Sequence, residues 1–478
     1  MRNEGTTLRR KAAAPELLVR LDRGANEPLR AQLERELRGA IRAGRLKAGA
    51  SLPSTRALAA DLGLSRGIVV DAYEQLLAEG YLIARQGSVT SVAEGRVMSG
   101  QALPRKSAKT PAAGVSEQIR YDFRPAVPDT STFPRRAWHR SLRKALATAA
   151  AASMGYPDPR GTSAARTALA AYVNRARGTL AHAERVLICN GFTQGFRLTC
   201  AVLARLGVRA VATEDPSHEE QRVAVRDAGL KCVPVPVDED GLRVERLEKS
   251  DARAVLVTPA HQFPTGAVMA PQRRAALLDW AIRHEALIIE DDYDAEFRYD
   301  REPVGALQGI APERVVYIGS ASKTLAPALR LGWLVAPARL AEELARVKKG
   351  EDRGSASLEQ LAFADFIERG ELDRHLRRMR RIYRHRRDRL VAALRTHLPG
   401  RRVFGIAAGL HLMLELPPGA DESAVVAAAR ELSVNVTGVQ EYRGRARLPA
   451  ALILGYGFLR DSAVQEGVRR LASVVERR

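Results

Sequence analysis

At 478 residues, 46% apolar and 27% charged, the chain is too long for one ordinary hydrophobic core and too apolar to be disordered, so two or three globular domains are expected. Its formal charge of +21 points to an anionic partner such as nucleic acid, although an arginine-rich genome produces the same excess with no binding role. No apolar run approaches the roughly 18 residues that cross a bilayer, and no apolar core follows the basic N-terminus, which sets the expectation of a cytoplasmic protein without a membrane span or secretory leader.

Residues 15–92 alternate helical periodicity with short polar breaks. In "LPSTRALAADLGLSRGIVVDAYEQLLAEGYL" one helix, about 54–61, turns at Gly63 into a second that begins at Ser65, a good N-cap. Ile68, Ala72, Leu76 and Leu77 form the inward stripe of the second helix, with Arg66, Gly67 and Asp71 facing out. Two helices on a short glycine-bearing turn predict a helix-turn-helix, in which the first residues of the second helix reach base edges, Arg66 first among them. The plainer alternative is a helical hairpin with a surface arginine. "GYLIARQGSVTSVA" then predicts a two-stranded wing with Gly87 at its tip and Arg85 and Gln86 placed for a minor groove or phosphate.

Residues 93–118, rich in Ala, Ser, Gly, Pro and Lys without apolar period, read as a flexible linker. From 119 to 478 short apolar runs ("RVLICNG", "AVATEDP", "AVLVTPA", "ALIIEDDY", "RVVYIGS") alternate with amphipathic helices, the pattern of an α/β domain whose mostly parallel sheet is covered on both faces. From about 370 the pattern changes to a smaller α+β lobe with hairpin-like strands ("HLMLEL", "LILGYG"). Cys189, Cys200 and Cys232 lie far apart among apolar neighbours, which fits buried thiols and neither disulfides nor a metal site.

In "SASKTLAPALRLGW" the small residues Ser320, Ala321 and Ser322 clear space around Lys323, as a Schiff-base lysine requires, and Arg330, about two helical turns on, is placed to clamp a phosphate. Asp291, Asp292 and Tyr293 follow the strand "ALIIE" at its carboxyl end, where open α/β sheets gather their ligand groups. A buried carboxylate there can keep a pyridinium nitrogen protonated, and a phenol two residues on can bond the ring's oxygen. "CNGFTQGFRL" supplies a helix start at which the amides of Phe192 and Thr193 and the Thr193 hydroxyl can receive phosphate, and "EDPSH" presents His218 to stack on a ring. Taken singly, Asp291 reads equally well as a helix cap and His218 as a surface loop residue.

The N-terminal stretch resembles the winged-helix domain of the GntR superfamily along its whole frame, which implies DNA contacts at Arg56, Ser65 and Arg66 and a phosphate contact at Lys47; Val89 departs from a glycine of the usual wing. From about residue 119 the pattern "GYPDPRG…GFTQG…EDPSH…TPAHQFPTG…EDDYDAEF…SASKTLAPALRLGW" resembles fold-type I aminotransferases, specifically the MocR branch of GntR regulators. The resemblance implies pyridoxal 5′-phosphate on Lys323, its phosphate near Arg330, Ser320 and Ser322, its ring nitrogen on Asp291 and its ring oxygen on Tyr293. It also implies a head-to-tail homodimer in which Tyr156 reaches the neighbouring subunit's phosphate.

Two departures bear on catalysis: Phe263 stands where working transaminases have an asparagine, and Ile453 where they hold the substrate carboxylate with arginine, unless Arg443, Arg445 or Arg447 supplies that charge. The expected function is a transcriptional regulator that binds operator DNA and senses the cofactor, as do vitamin B6-responsive members of this family, or an amino compound reacting with it. The alternatives are an aminotransferase carrying a DNA-binding module and a DNA-binding scaffold with a vestigial pocket. The arginine-rich stretch 373–390 reads either as a solvated helix face or as a surface that follows DNA.

Overall fold

A computed structural model describes residues 19, 21–84, 89–93, 119–300 and 304–476. The chain divides into two compact units, Met1–Gly114 and Val115–Arg478. In the first, helices Leu29–Arg42, Thr55–Leu62 and Arg66–Ala78 precede an antiparallel pair, Leu82–Ile83 with Ser91–Val92. The Ser54 hydroxyl accepts from the Ala57 amide to start the second helix, and Gly63, in the left-handed region at φ 62°, ends it. The third helix buries Val69, Ala72, Tyr73 and Leu76, so Ala72 and Leu76 face inward as expected, while Val69 and Tyr73 take the places of Ile68 and Leu77, which are only half-buried. Spacing at i, i+3, i+4 and i+7 selects this set, and Tyr73 stays buried because its hydroxyl donates to the Pro53 carbonyl. Ser65 occupies the N-cap position, yet its side chain makes no capping bond.

The second unit is built on an eight-stranded sheet: β1 (Val186–Cys189), β2 (Ala210–Asp215), β3 (Lys231–Asp238), β4 (Gly241–Leu242), β5 (Ala254–Val257), β6 (Leu287–Asp292), β7 (Val315–Ser320) and β8 (Gly332–Val335). Their order across the sheet is β1-β8-β7-β6-β5-β2-β3-β4. β7, β6, β5, β2 and β3 run parallel to one another, and β8 is antiparallel to both β7 and β1. Every residue of β2, β6 and β7 is buried, the expected signature of strands covered on both faces.

The five predicted runs become β1, β2, β5, β6 and β7. The two late strands do pair antiparallel, His411–Glu415 with Ala451–Gly455, but not as a hairpin. Helix Glu422–Glu431 and the edge strand Thr437–Gly438 lie between them in sequence, completing with Val403–Phe404 a separate four-stranded sheet. The arginine-rich stretch belongs to a 27-residue helix, Glu371–His397, that buries Leu372, Leu376, Met379 and Tyr383 and leaves Arg377, Arg381 and Arg384 exposed. Cys189 and Cys200 are buried and Cys232 half-buried, all as free thiols.

Candidate functional site

The carboxyl ends of β1, β2, β6 and β7 surround a cavity of about 520 Å³ whose wall includes Lys323, Arg330, Asp291, Tyr293 and His218, together with Phe192, Thr193, Ser320 and Ser322. The path from Lys323 to Arg330 is broken at Pro327, as the sequence suggests. A four-residue helix, Ala321–Thr324, gives way at Pro327 to a 3₁₀ turn, and Arg330 follows at φ 52°. That left-handed turn brings the guanidinium back over Gly191, where Nη2 donates to the Asn190 carbonyl. Gly332 packs so closely on Gly191 that a Cβ there would lie 2.7 Å from its backbone, which holds the arginine loop against the start of helix Phe192–Arg205. Arg330, the amide end of this helix and the Ser320 and Ser322 hydroxyls thus form one anion-receiving corner. Ser320 Oγ takes the Ser322 amide and donates to Ser322 Oγ at 2.9 Å.

The Lys323 ammonium donates to the Ala126 carbonyl at 2.6 Å. Burial pushes its pKa down, against the pull of Asp294 and Asp291, and so favours the neutral amine that attacks a carbonyl. Asp291 is pushed the opposite way, well above the usual carboxylate range, by burial first and then by Asp292, Asp294 and Glu214. Its neighbour Asp292 is already engaged by Arg177 at 2.7 Å and by the Tyr317 hydroxyl at 2.6 Å, whereas among the described residues Asp291 has only Gln221 at 3.5 Å. A buried carboxyl so poorly matched fits a pyridine nitrogen as its missing partner.

His218 stacks face to face on Phe263, ring centres 4.0 Å apart, and burial lowers its pKa, keeping the imidazole neutral. Phe263, the residue in place of an asparagine, is therefore an aromatic backing for His218. The Tyr293 hydroxyl is not free for a ligand oxygen as expected: it donates to the His261 carbonyl at 3.0 Å. Tyr156 stands apart from the cavity, 81% exposed, with the Arg353 guanidinium over its ring. Ile453 is fully buried at the centre of the small sheet, and Arg443, Arg445 and Arg447 are exposed and do not line the cavity.

Several wall residues were not read from the sequence, among them Ala126, Gln221 and Glu214. Ala126 contributes only its backbone. Gln221 sits in the first turn of the helix after His218, and Glu214 is hidden in the apolar run of β2, where it accepts from the Thr258 hydroxyl and Gln262. In the N-terminal unit, Lys47, Arg56, Ser65 and Arg66 are all exposed, and none of the three cations is ion-paired among the described residues. Arg85, Gln86 and Gly87 lie outside the described residues.

Residues 29–92 match the model of the bacterial regulatory proteins of the gntR family, and residues 127–452 that of aminotransferase class I and II. The probable rhizopine catabolism regulatory protein MocR of Rhizobium meliloti is 35% identical over 95% of both chains. This chain is a MocR-type regulator of the GntR superfamily. The HTH-type pyridoxine biosynthesis transcriptional regulator PdxR of Corynebacterium glutamicum is 33% identical over 89% of this chain and 91% of its own. An archaeal alanine:glyoxylate aminotransferase structure superposes with a TM-score of 0.69 at 25% identity, covering 75% of this chain and 91% of that one. The regulator accordingly binds DNA through its N-terminal domain, and its C-terminal domain has the fold-type I architecture whose cofactor is pyridoxal 5′-phosphate. Among the described residues no helix is long and apolar enough to cross a membrane.

Proposed function

We propose that this regulator senses pyridoxal 5′-phosphate itself, held in the C-terminal cavity on Lys323 and read out as a change in how its winged domains grip an operator. The observation that carries the reading is the shared cavity: a lysine with lowered pKa, a buried carboxyl without a matched partner and an arginine-capped helix start all face the same 520 Å³. In this reading Arg330, Ser320, Ser322, Thr193 and the Phe192 amide receive the phosphate, Asp291 takes the ring nitrogen, and His218 forms the aromatic wall. Tyr293 turns its hydroxyl from His261 to the ring oxygen. Bound there, the cofactor supplies an electrophilic carbon to amines and an electron sink. In a head-to-tail dimer, Tyr156 completes the phosphate site of the partner subunit.

The wall favours the cofactor over an amino acid as the sensed molecule. Arg330 is its only arginine among the described residues, so a carboxylate would enter without a guanidinium partner, at a large desolvation cost. The same gap weighs against an aminotransferase. On the DNA side, Arg66 reads a base, with Arg56, Ser65 and Lys47 on the backbone.

Absorbance and operator-binding titrations on the full chain test the reading together. Adding the cofactor should produce a visible band and shift operator affinity, and Lys323→Ala should remove both. A variant that loses the band while its cofactor-dependent operator response persists would refute sensing through Lys323. Sustained keto-acid formation from a panel of amino acids would favour the enzyme.

A further inference from the structure

Three residues far apart in sequence, His261, Asp294 and His411, meet behind Phe263 and Tyr293. Each exposes 1% or less of its surface. One ligand atom from each lies within 4.8 Å of the other two, and His261 Nδ1 is 3.1 Å from Asp294 Oδ2. The two imidazole centres are 4.7 Å apart. We propose that these three side chains bind one divalent transition-metal ion, zinc-like in its preference for nitrogen and carboxylate ligands.

The hydrogen-bond inventory points the same way. Among the described residues, His261 Nε2 and both ring nitrogens of His411 are buried without a well-formed hydrogen bond, although the Pro264 carbonyl lies beside His411. A neutral imidazole has one donor and one acceptor, and burying either unpaired forfeits its hydration with no return. At His411, metal ligation uses the acceptor nitrogen directly and leaves the second N–H to a backbone carbonyl, the usual arrangement around metal-bound histidine and the one the Pro264 carbonyl is placed to serve. With metal–nitrogen distances of about 2.0–2.1 Å, imidazole centres at the observed separation fit two ligands meeting at roughly a right angle.

Charge also favours a cation. Asp294 shares its surroundings with the buried carboxyls of Asp291 and Glu214, a crowding of acidic groups that a positive ion on Asp294 relieves. Two histidines and one carboxylate leave a tetrahedral ion one position for water, and this donor set suits zinc or iron(II) better than calcium or magnesium. The three ligands belong to the loop after β5, the segment after β6 and the first residue of the small sheet's central strand. An ion there would tie the cofactor-bearing sheet to the small lobe, next to Tyr293.

The test uses the full-length protein expressed in zinc-supplemented medium, freed of loosely held ions and analysed for metal by mass spectrometry. One zinc per chain is expected, with melting temperature lowered by a strong chelator and restored by zinc but not by magnesium. Cobalt(II) in its place should give ligand-field bands to the red of the cofactor's absorption. His411→Gln and Asp294→Asn should each cut metal content at least about tenfold. Should either variant fold poorly, the wild-type metal content and chelator response decide the matter on their own. Metal-free wild-type protein from supplemented cells, or metal retained in both variants, overturns the proposal in favour of a hydrogen-bonded His–Asp pair with buried water.

Discussion

A carboxyl group closed off from water keeps its proton to higher pH, and Glu214 is buried with one oxygen, Oε1, lacking any partner among the described residues. Burial pushes its pKa up to about 7, against the hydrogen bonds from Thr258 and Gln262 that favour the anion. Because this folded-state value lies above the unfolded one, near 4.5, its contribution is fully present at acid pH and is lost as pH rises through about 7. Removing the titration should therefore flatten the stability profile. In urea titrations of the cofactor-free chain, Glu214→Gln should recover up to about 3 kcal/mol of what the wild type loses between pH 5 and 8. Glu290, also raised to about 7 but satisfied by the Leu307 and Gln308 amides, titrates in the same window, so part of the wild-type slope should survive in the variant. A profile unchanged by Glu214→Gln would mean that this side chain is solvated in solution.

The reading helix depends on how the helix before it begins. Ser54 supplies that helix's side-chain cap, so Ser54→Ala should cost about 1 kcal/mol of N-terminal domain stability in thermal unfolding. Ser65→Ala should cost less, since Ser65 makes no capping bond, and any effect it has belongs to DNA contact. Arg66→Ala should lose about 1–3 kcal/mol of discrimination between operator and mismatched DNA while leaving domain stability within about 0.5 kcal/mol, as befits an exposed first-turn residue. Elements were legible where side chains follow the local period. The five apolar runs could be read because both faces of each strand are covered, and Gly63, Ser65 and the GntR frame announced the helix pair. β3 escaped because Pro234 and Pro236 mark it as a loop. It tolerates them because residues two apart present their missing N–H groups on the same edge, and β4 pairs on one side only at Val237 and Asp238. β8 is four residues led by a glycine, too short for a periodic signal. In the site, motif residues such as Lys323 and Asp291 were legible because their chemistry needs those side chains. The Ala126 carbonyl and the His261–Asp294–His411 meeting were not, since backbone groups and tertiary contacts leave no local pattern.

At the scale of the whole chain, sensing means that cofactor and operator each change the other's affinity, and thermodynamics requires the two factors to be equal. A tenfold change of operator affinity on adding cofactor, about 1.4 kcal/mol of coupling, must return as a tenfold change of cofactor affinity on adding operator. Fluorescence anisotropy of a labelled operator gives the first factor and titration of the cofactor's visible band gives the second. Both must be measured at one salt concentration, because arginine–phosphate contacts make the DNA arm steeply salt-dependent for a chain of net charge +21. The variants divide the cycle cleanly. Arg66→Ala should weaken the operator arm while the cofactor band and its operator-free affinity stay within about twofold of wild type, since Arg66 and Lys323 lie in separate units. Arg330→Lys should weaken cofactor binding at least about tenfold, because a point charge cannot reproduce a guanidinium held over Gly191, and should move operator affinity only when cofactor is present. Equal factors other than one in wild type, both returning to one in Lys323→Ala, establish a cofactor-coupled switch; a factor of one on both arms in wild type leaves a DNA-binding protein whose occupied pocket does not report to its reader.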